Sequence, residues 1–310
     1  MRLHQSSGRW RLGLSLALVT VCLWGVLPIA LKVVLQAVDV YTVTWFRFLV
    51  SFWLLAIYLG LKGELSAGRR KLGKARLDLL AIATLFLAAN YLFYLKGLQD
   101  TSPNNAQVII QLAPVMMGIG GLIVFKERYT LQQWGALGTL LLGMLLFFQE
   151  QLQHLVNAPA QFLWGSVYIV IAAAVWAVYA LAQKQLLQQV PSSVIMLVIY
   201  GGGALLFAPF TSPETLQTLT PLQWGMLLFS AFNTFIAYGA FAEALDHWEA
   251  SKVSAVLSTT PIVTLSSVFL VSLLFPALIP PEPITLVAVT GAFFVVVGSL
   301  GIALGRKVTP

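Results

Sequence analysis

The fold class predicted by the sequence is an all-α integral membrane protein, with ten transmembrane helices built as two inverted five-helix repeats. Three observations predict it. Of the 310 residues, 59% are hydrophobic and only 9% are charged, whereas soluble domains carry roughly 25% charged residues. Apolar segments of near-bilayer length recur along the whole chain, so the protein is polytopic rather than anchored at one end. The stretch from Asn104 to Gly143 also returns, in degenerate form, near the C-terminus.

Cutting the chain at charge clusters, prolines and polar loops gives segments at 11–33, 41–61, 77–97, 104–125, 131–149, 162–184, 193–210, 222–244, 252–275 and 284–305. Each is near the ~20 residues that cross a bilayer core. The apolar run of the first, Leu12 to Leu31, has no A-x-A cleavage pattern after it. Its Val19-Thr20-Val21-Cys22 stretch also lacks the small residues of a lipoprotein site, so it is expected to stay as a helix. The second segment carries Arg47, the only formal charge well inside a span. Asn90 and Tyr94 lie in the third, and Gln107, Gln111 and Pro114 in the fourth. Glu127 precedes the fifth and Glu282 the tenth; each is expected to cap its helix, where a carboxylate opposes the dipole. The sixth holds Trp176, Tyr179 and Gln183; the seventh is the shortest. Asn233 and Tyr238 fall in the eighth, and Ser254, Ser258 and Pro261 in the ninth.

Charge sets the orientation, because Lys and Arg concentrate in cytoplasmic loops. With the N-terminus in the cytoplasm, fifteen of the 18 basic residues lie on that side; Lys32 and Lys96 lie outside, and Arg47 lies within a span. Both termini are then cytoplasmic, and a bacterial inner membrane is the expected location. The net charge of +7 reflects this topology, and nucleic acid is not an expected partner. A single cysteine, Cys22, excludes an internal disulfide framework and a Cys-rich metal site. No catalytic residue, metal or cofactor is expected. The expected partners are a small-molecule substrate and the lipid bilayer, with the chain acting as a monomer or homodimer.

The repeat is legible in the register of unusual residues. Gln107, Gln111 and Pro114 recur as Ser254, Ser258 and Pro261 at a constant offset of 147 residues. Glu127, Thr130 and Gly143 recur as Glu282, Thr285 and Gly298 at an offset of 155, which leaves an eight-residue insertion within Phe275 to Pro281. Trp24 and Lys32 match Trp176 and Lys184, and Tyr91 matches Tyr238. The expected division is 1–155 and 156–310, across the Lys/Arg-free loop from Glu150 to Gln161. Five spans per half is an odd number, so the second half enters the membrane from the opposite side, as in many secondary transporters.

With these features in register, the chain resembles the EamA-type branch of the drug/metabolite transporter superfamily over nearly its whole length. The resemblance rests on the two five-helix repeats, on Leu23-Trp24-Gly25 and Arg47-Phe48, and on the Pro-centred spans four and nine. Glu127-Arg128-Tyr129-Thr130 and Glu282-Pro283-Ile284-Thr285 follow those two spans. The second half departs from the pattern, with Ile199 at the place of Arg47 and an extra loop from Pro276 to Pro283. The resemblance implies a ten-helix transporter of small metabolites, often an exporter of amino acids or related compounds.

Polar groups inside a membrane are costly and should face protein or a watery cavity. Gln107 and Gln111 share one helix face, as do Ser254 and Ser258; they are expected to line a central cavity, interhelical hydrogen bonding being the alternative. Pro114 and Pro261 are expected hinges, or else tolerated kinks. Arg47 could take a substrate carboxylate or phosphate, or bind neighbouring carbonyls. Trp24, Trp176, Tyr179, Asn90, Tyr94, Asn233 and Tyr238 suit a zwitterionic or aromatic metabolite, with plain packing as the alternative. None of the 11 acidic residues falls in mid-membrane, which argues against a proton-coupled exporter of lipophilic cations. The expected function is alternating-access transport, weighed against a polyspecific drug efflux pump and an integral-membrane enzyme.

Overall fold

The structure, a computed structural model, describes residues 6–65, 70, 72, 73, 75–149, 159–276 and 285–305. These residues form an all-α integral membrane protein. Its long helices are α1 (Trp10–Val34), α2 (Val40–Leu61), α3 (Leu77–Asp100), α4 (Pro103–Val124), α5 (Leu131–Phe147), α6 (Ala160–Leu186), α7 (Ser192–Phe207), α8 (Pro221–His247), α9 (Ala250–Leu274) and α10 (Leu286–Ala303). A short 3₁₀ turn (Ala208–Phe210) carries α7 to 19 residues, so it reaches bilayer length. The short apolar helix is instead α5, with 17 residues. Near-uniform hydrophobicity around most of these helices is what a lipid-embedded bundle requires, since both faces meet apolar surroundings.

Side chains at the helix starts satisfy the orphan backbone donors. Asp39 accepts from the Tyr41 and Thr42 N–H groups at the start of α2. Thr130 and Gln133 form a reciprocal capping box on α5, Thr220 and Gln223 another on α8, and the Thr285 hydroxyl caps α10. The expected capping of α5 by Glu127 is therefore corrected: Thr130 takes that position, and Glu127 turns to another helix, as described below. Glu282 and most of the Pro-rich loop lie outside the described residues.

Two helices are interrupted, α4 at Gln111 and α9 at Ser258 and Thr259. The cause is the proline three or two residues further on. Pro114 and Pro261 lack an N–H, which removes the helical donor for the carbonyls of Ile110 and Leu257 four residues earlier. The Thr260 hydroxyl donates to the Leu257 carbonyl at 2.6 Å and satisfies it. At the same offset in α4 stands Ala113, which has no such donor to give.

The helices α1, α5, α7 and α9 begin on one face, here the basic face, where α6, α8 and α10 end. Lys184 at the end of α6 reaches the loop before α5, and the Lys252 amine donates to the Gly305 carbonyl beyond α10 at 3.1 Å. On this face the Ser7 hydroxyl meets His247, and the Ser192 hydroxyl donates to Glu243, tying the N-terminal segment and α7 to α8. The principal pairings are α3 with α6, α1 with α8, α2 with α7, and α5 with α10. The last pair meets backbone to backbone. Gly143, Gly291 and Gly298 let the two backbones touch; a Cβ on Gly298 would fall 2.5 Å from the Leu140 nitrogen.

Candidate functional site

Among these helices lies a cleft that encloses about 640 Å³ of empty space, its open solvent included. It is lined by residues of α1, α2, α3, α4, α6, α8 and α9 and by none of α5, α7 or α10. Trp24, Arg47, Asn90, Tyr94, Gln107, Gln111, Trp176 and Tyr238 all face it, as does Pro114. The remaining candidates sit elsewhere. Ser254 and Ser258 border a second, smaller space beside α4, α5 and α10. The Tyr179 hydroxyl points behind the cavity, to the Met196 sulfur at 3.6 Å. Asn233 donates to the Leu23 carbonyl at 2.6 Å and so ties α8 to α1. Pro261 packs in the buried start of the second segment of α9 and does not border the cavity.

The floor of the cavity is aromatic. Trp24 contacts Trp176, Tyr238 and Phe241 with ring centroids 5.7, 4.9 and 5.6 Å apart, and Trp176 lies 5.1 Å from Phe241. These tilted and edge-on geometries are the favoured ones for ring pairs. Trp176 lies ten residues from the basic end of α6, or roughly 15 Å, which places the floor near the middle of the bundle. Above the floor, towards the opposite face, lie Arg47, Tyr94 and Gln107.

Arg47 is 3% exposed, and its bonding is lopsided. Its Nε donates to the Thr234 hydroxyl at 3.0 Å and to the Ser230 carbonyl at 3.4 Å, and its guanidinium sits 4.4 Å from the Tyr91 ring centroid. Among the described residues no carboxylate pairs with it, and no acceptor meets its two Nη groups. A buried cation so placed lacks the partner that normally offsets its desolvation. The amides add to this demand. Gln111 is 2% exposed, and its Oε1 has no hydrogen-bond partner; nor has the Trp24 Nε1. The site thus offers a free guanidinium fork and an indole donor to an anionic group, and an amide acceptor to a donor group.

The sequence reading missed Tyr91, Thr234 and Thr260. Tyr91 precedes Tyr94 by three residues and therefore shares its face, and it matches Tyr238 in the expected repeat; both signals were available. Thr234 is one residue beyond Asn233, and only the rotation of α8 decides which of the two meets Arg47. Thr260 follows the interruption of α9, where helical periodicity fails.

On the basic face a second polar cluster ties the loop before α5 to α6 and α9. The Lys184 amine is 3.1 Å from Glu127 Oε1 and 3.3 Å from the Trp248 carbonyl. Glu127 also accepts the Ala250 and Ser251 N–H groups at 2.9 and 3.0 Å, so it caps α9 rather than α5. Burial raises the Glu127 carboxyl, but Lys184 and the Ser251 donors outweigh this and hold it below the usual carboxylate range. This contribution to stability is full above the ordinary carboxylate range and is lost only as the pH falls through the lowered value. Lys32 does matching work on the opposite face: its amine donates to the Leu98, Gln99 and Thr101 carbonyls at 2.8, 3.0 and 2.6 Å.

Replacing Gln111 by Leu removes an unpartnered amide and keeps the volume. Membrane abundance and thermal stability are expected to hold or rise, since an orphaned buried acceptor costs about 1–3 kcal/mol. Transport should drop about tenfold, read as initial rate per reconstituted molecule.

The EamA-like transporter family matches residues 11–149 and 163–304. The "Uncharacterized inner membrane transporter YhbE" of Escherichia coli (strain K12) is 36% identical over 298 residues, covering 96% of this chain and 92% of the relative. An "Uncharacterized transporter" of Haemophilus influenzae is 34% identical over 301 residues, covering 96% and 97%. A protein crystal structure superposes with a TM-score of 0.68 over 97% of this chain and 98% of the other, at 17% identity; this is a likeness of fold.

Proposed function

Because the chain belongs to the EamA-like transporter family, we propose that this membrane transporter moves a small metabolite, an amino acid or related compound, by alternating access and in the direction of export. The observation that carries the substrate class is Arg47, a buried guanidinium that faces the cavity with its Nη groups unengaged. A carboxylate is the group that answers it, through a two-pronged pair assisted by the Trp24 indole. The substrate's amino group then has the Gln111 Oε1 and the aromatic floor, which attract a cation through hydrogen bonding and ring quadrupoles. A lipophilic cation would meet Arg47 as a like charge, which disfavours a drug efflux role.

Several features support the division into inverted halves at 1–155 and 156–310. Lys32 binds the Thr101 carbonyl and Lys184 the Trp248 carbonyl, so the first helix of each half holds the end of the third. Across the halves, α1 packs on α8 and α3 on α6. Both interrupted helices border the cavity, and Pro114 and Pro261 supply the bends about which the halves rock. With both termini in the cytoplasm, as the basic loops direct, the closed face of this conformation is the cytoplasmic one.

The test is uptake and counterflow in proteoliposomes across a panel of radiolabelled amino acids, with and without a pH gradient. Saturable counterflow of at least one amino acid, insensitive to the gradient, is the expected result. Movement of a cationic dye with no amino acid transported would sink the assignment.

A further inference from the structure

Gln183 is a polar side chain that the cavity does not use. It is fully buried, and neither its amide oxygen nor its amide nitrogen has a hydrogen-bond partner. A buried amide with both ends unpartnered is held at a free-energy cost in this conformation. Its position explains the arrangement. Gln183 follows Trp176 by seven residues, two turns of α6, and so lies on the same helix face, roughly 10 Å nearer the basic end. Trp176, packed against Phe241, floors the cavity above it. Beyond it, at the next residue, Lys184 is locked to Glu127 and to the Trp248 carbonyl. Gln183 therefore sits between the floor and the inter-half ion pair.

This ion pair joins the two halves. Glu127 comes from the loop before α5, whereas Lys184, Ala250 and Ser251 belong to the second half. The Lys184 and Glu127 side chains are 2% and 11% exposed, so the pair is shielded from solvent. Separating the halves on this side must break it, and that same movement uncovers the next face of α6.

We propose that Gln183 is the inner substrate contact of the transport path, a hydrogen-bonding subsite for the polar end of the cargo, closed off in this conformation by the Glu127–Lys184 pair. The proposal rests on the alternating-access reading. When the pair opens, Gln183 meets water or cargo arriving from the basic face, and its amide gains the partners it lacks here. An amide serves both ends of a zwitterion, donating to a carboxylate and accepting from an ammonium. When the pair closes, the cargo passes the aromatic floor to Arg47.

The first measurement needs no substrate. In a Cys22→Ser background, Gln183→Cys is labelled with a membrane-impermeant maleimide in inside-out vesicles. Labelling is expected to be slow with Glu127 intact and at least tenfold faster with Glu127→Gln or, as a second opening variant, Lys184→Met. Labelling equally fast with the pair intact, or unchanged by both variants, overturns the inference even if the protein transports amino acids. The second measurement uses the amino acid that gives counterflow. Gln183→Leu is expected to raise the KM from the basic side at least fivefold and leave the KM from the opposite side unchanged, with Gln183→Asn restoring part of the loss. Equal changes on both sides would assign Gln183 to packing. Absence of amino acid transport in the unmodified protein would count against the substrate assignment and leave the labelling result to decide the path.

Discussion

Replacing Arg47 by Met is expected to remove most transport while leaving the protein as stable as before, or more so. The guanidinium is buried among α2, α3 and α8 without a carboxylate partner among the described residues, and that desolvated charge is a net cost to the empty protein. Methionine fills much of the same volume and carries no charge. The Thr234 hydroxyl, which loses the Nε donor, still donates to the Ser230 carbonyl at 2.9 Å, so no buried hydroxyl proton is stranded. Binding behaves oppositely. Hydrogen bonds to a charged group are worth about 1.5–3 kcal/mol each, so losing a two-pronged carboxylate contact should lower kcat/KM at least tenfold. Thermal unfolding in detergent together with counterflow in liposomes separates the two effects. A drop in Tm with transport per molecule intact would make Arg47 a structural tie.

The largest expected loss of stability comes from the other side of the bundle. Gly298→Val introduces branched carbons where a Cβ would already fall 2.5 Å from the Leu140 nitrogen and 2.7 Å from the Ala136 carbonyl. Both atoms are helix backbone and cannot swing aside, so α5 and α10 must separate along their length. Overpacking costs about 1–3 kcal/mol and occasionally more. Close contact between small residues is a main source of helix association in lipid, so the expected result is reduced membrane yield and a lowered Tm. Gly138→Ala is the control. It lies on the same helix, α5, with open space around its Cβ position, and should change neither quantity. Equal damage from both substitutions would show that backbone contact is not the cause.

Much of this structure was readable in the chain. Helix limits followed from apolar length, and the described ends differ from the expected ones by a few residues, because helices extend past the bilayer core into caps such as Asp39 and Thr220. The interruptions were foreseeable in Pro114 and Pro261, since a missing N–H acts locally. Helix rotation was harder to read. Ser254 and Ser258 share a face, as their spacing requires, but that face borders a second space beside α5 and α10. In a helix that is apolar nearly all round, no polar stripe fixes which side meets the neighbours. The true partner of Glu127 was also out of reach. A carboxylate before α5 reads as a cap for the next helix, and only the tertiary fold brings the start of α9, 123 residues on, within its reach.

The division of labour among the helices has an evolutionary consequence. The α5–α10 pair, joined backbone to backbone at its glycines, contributes no side chain to the cavity. Under the proposed function, the residues that line the cargo site and the residues that hold the assembly together therefore occupy separate positions. If the proposed function holds, a substitution at Gln111 or Trp176 is expected to alter selectivity without loosening the α5–α10 contact. Such a scaffold can diversify quickly: descendants of one ancestral bundle can inherit the same frame and differ in what they carry.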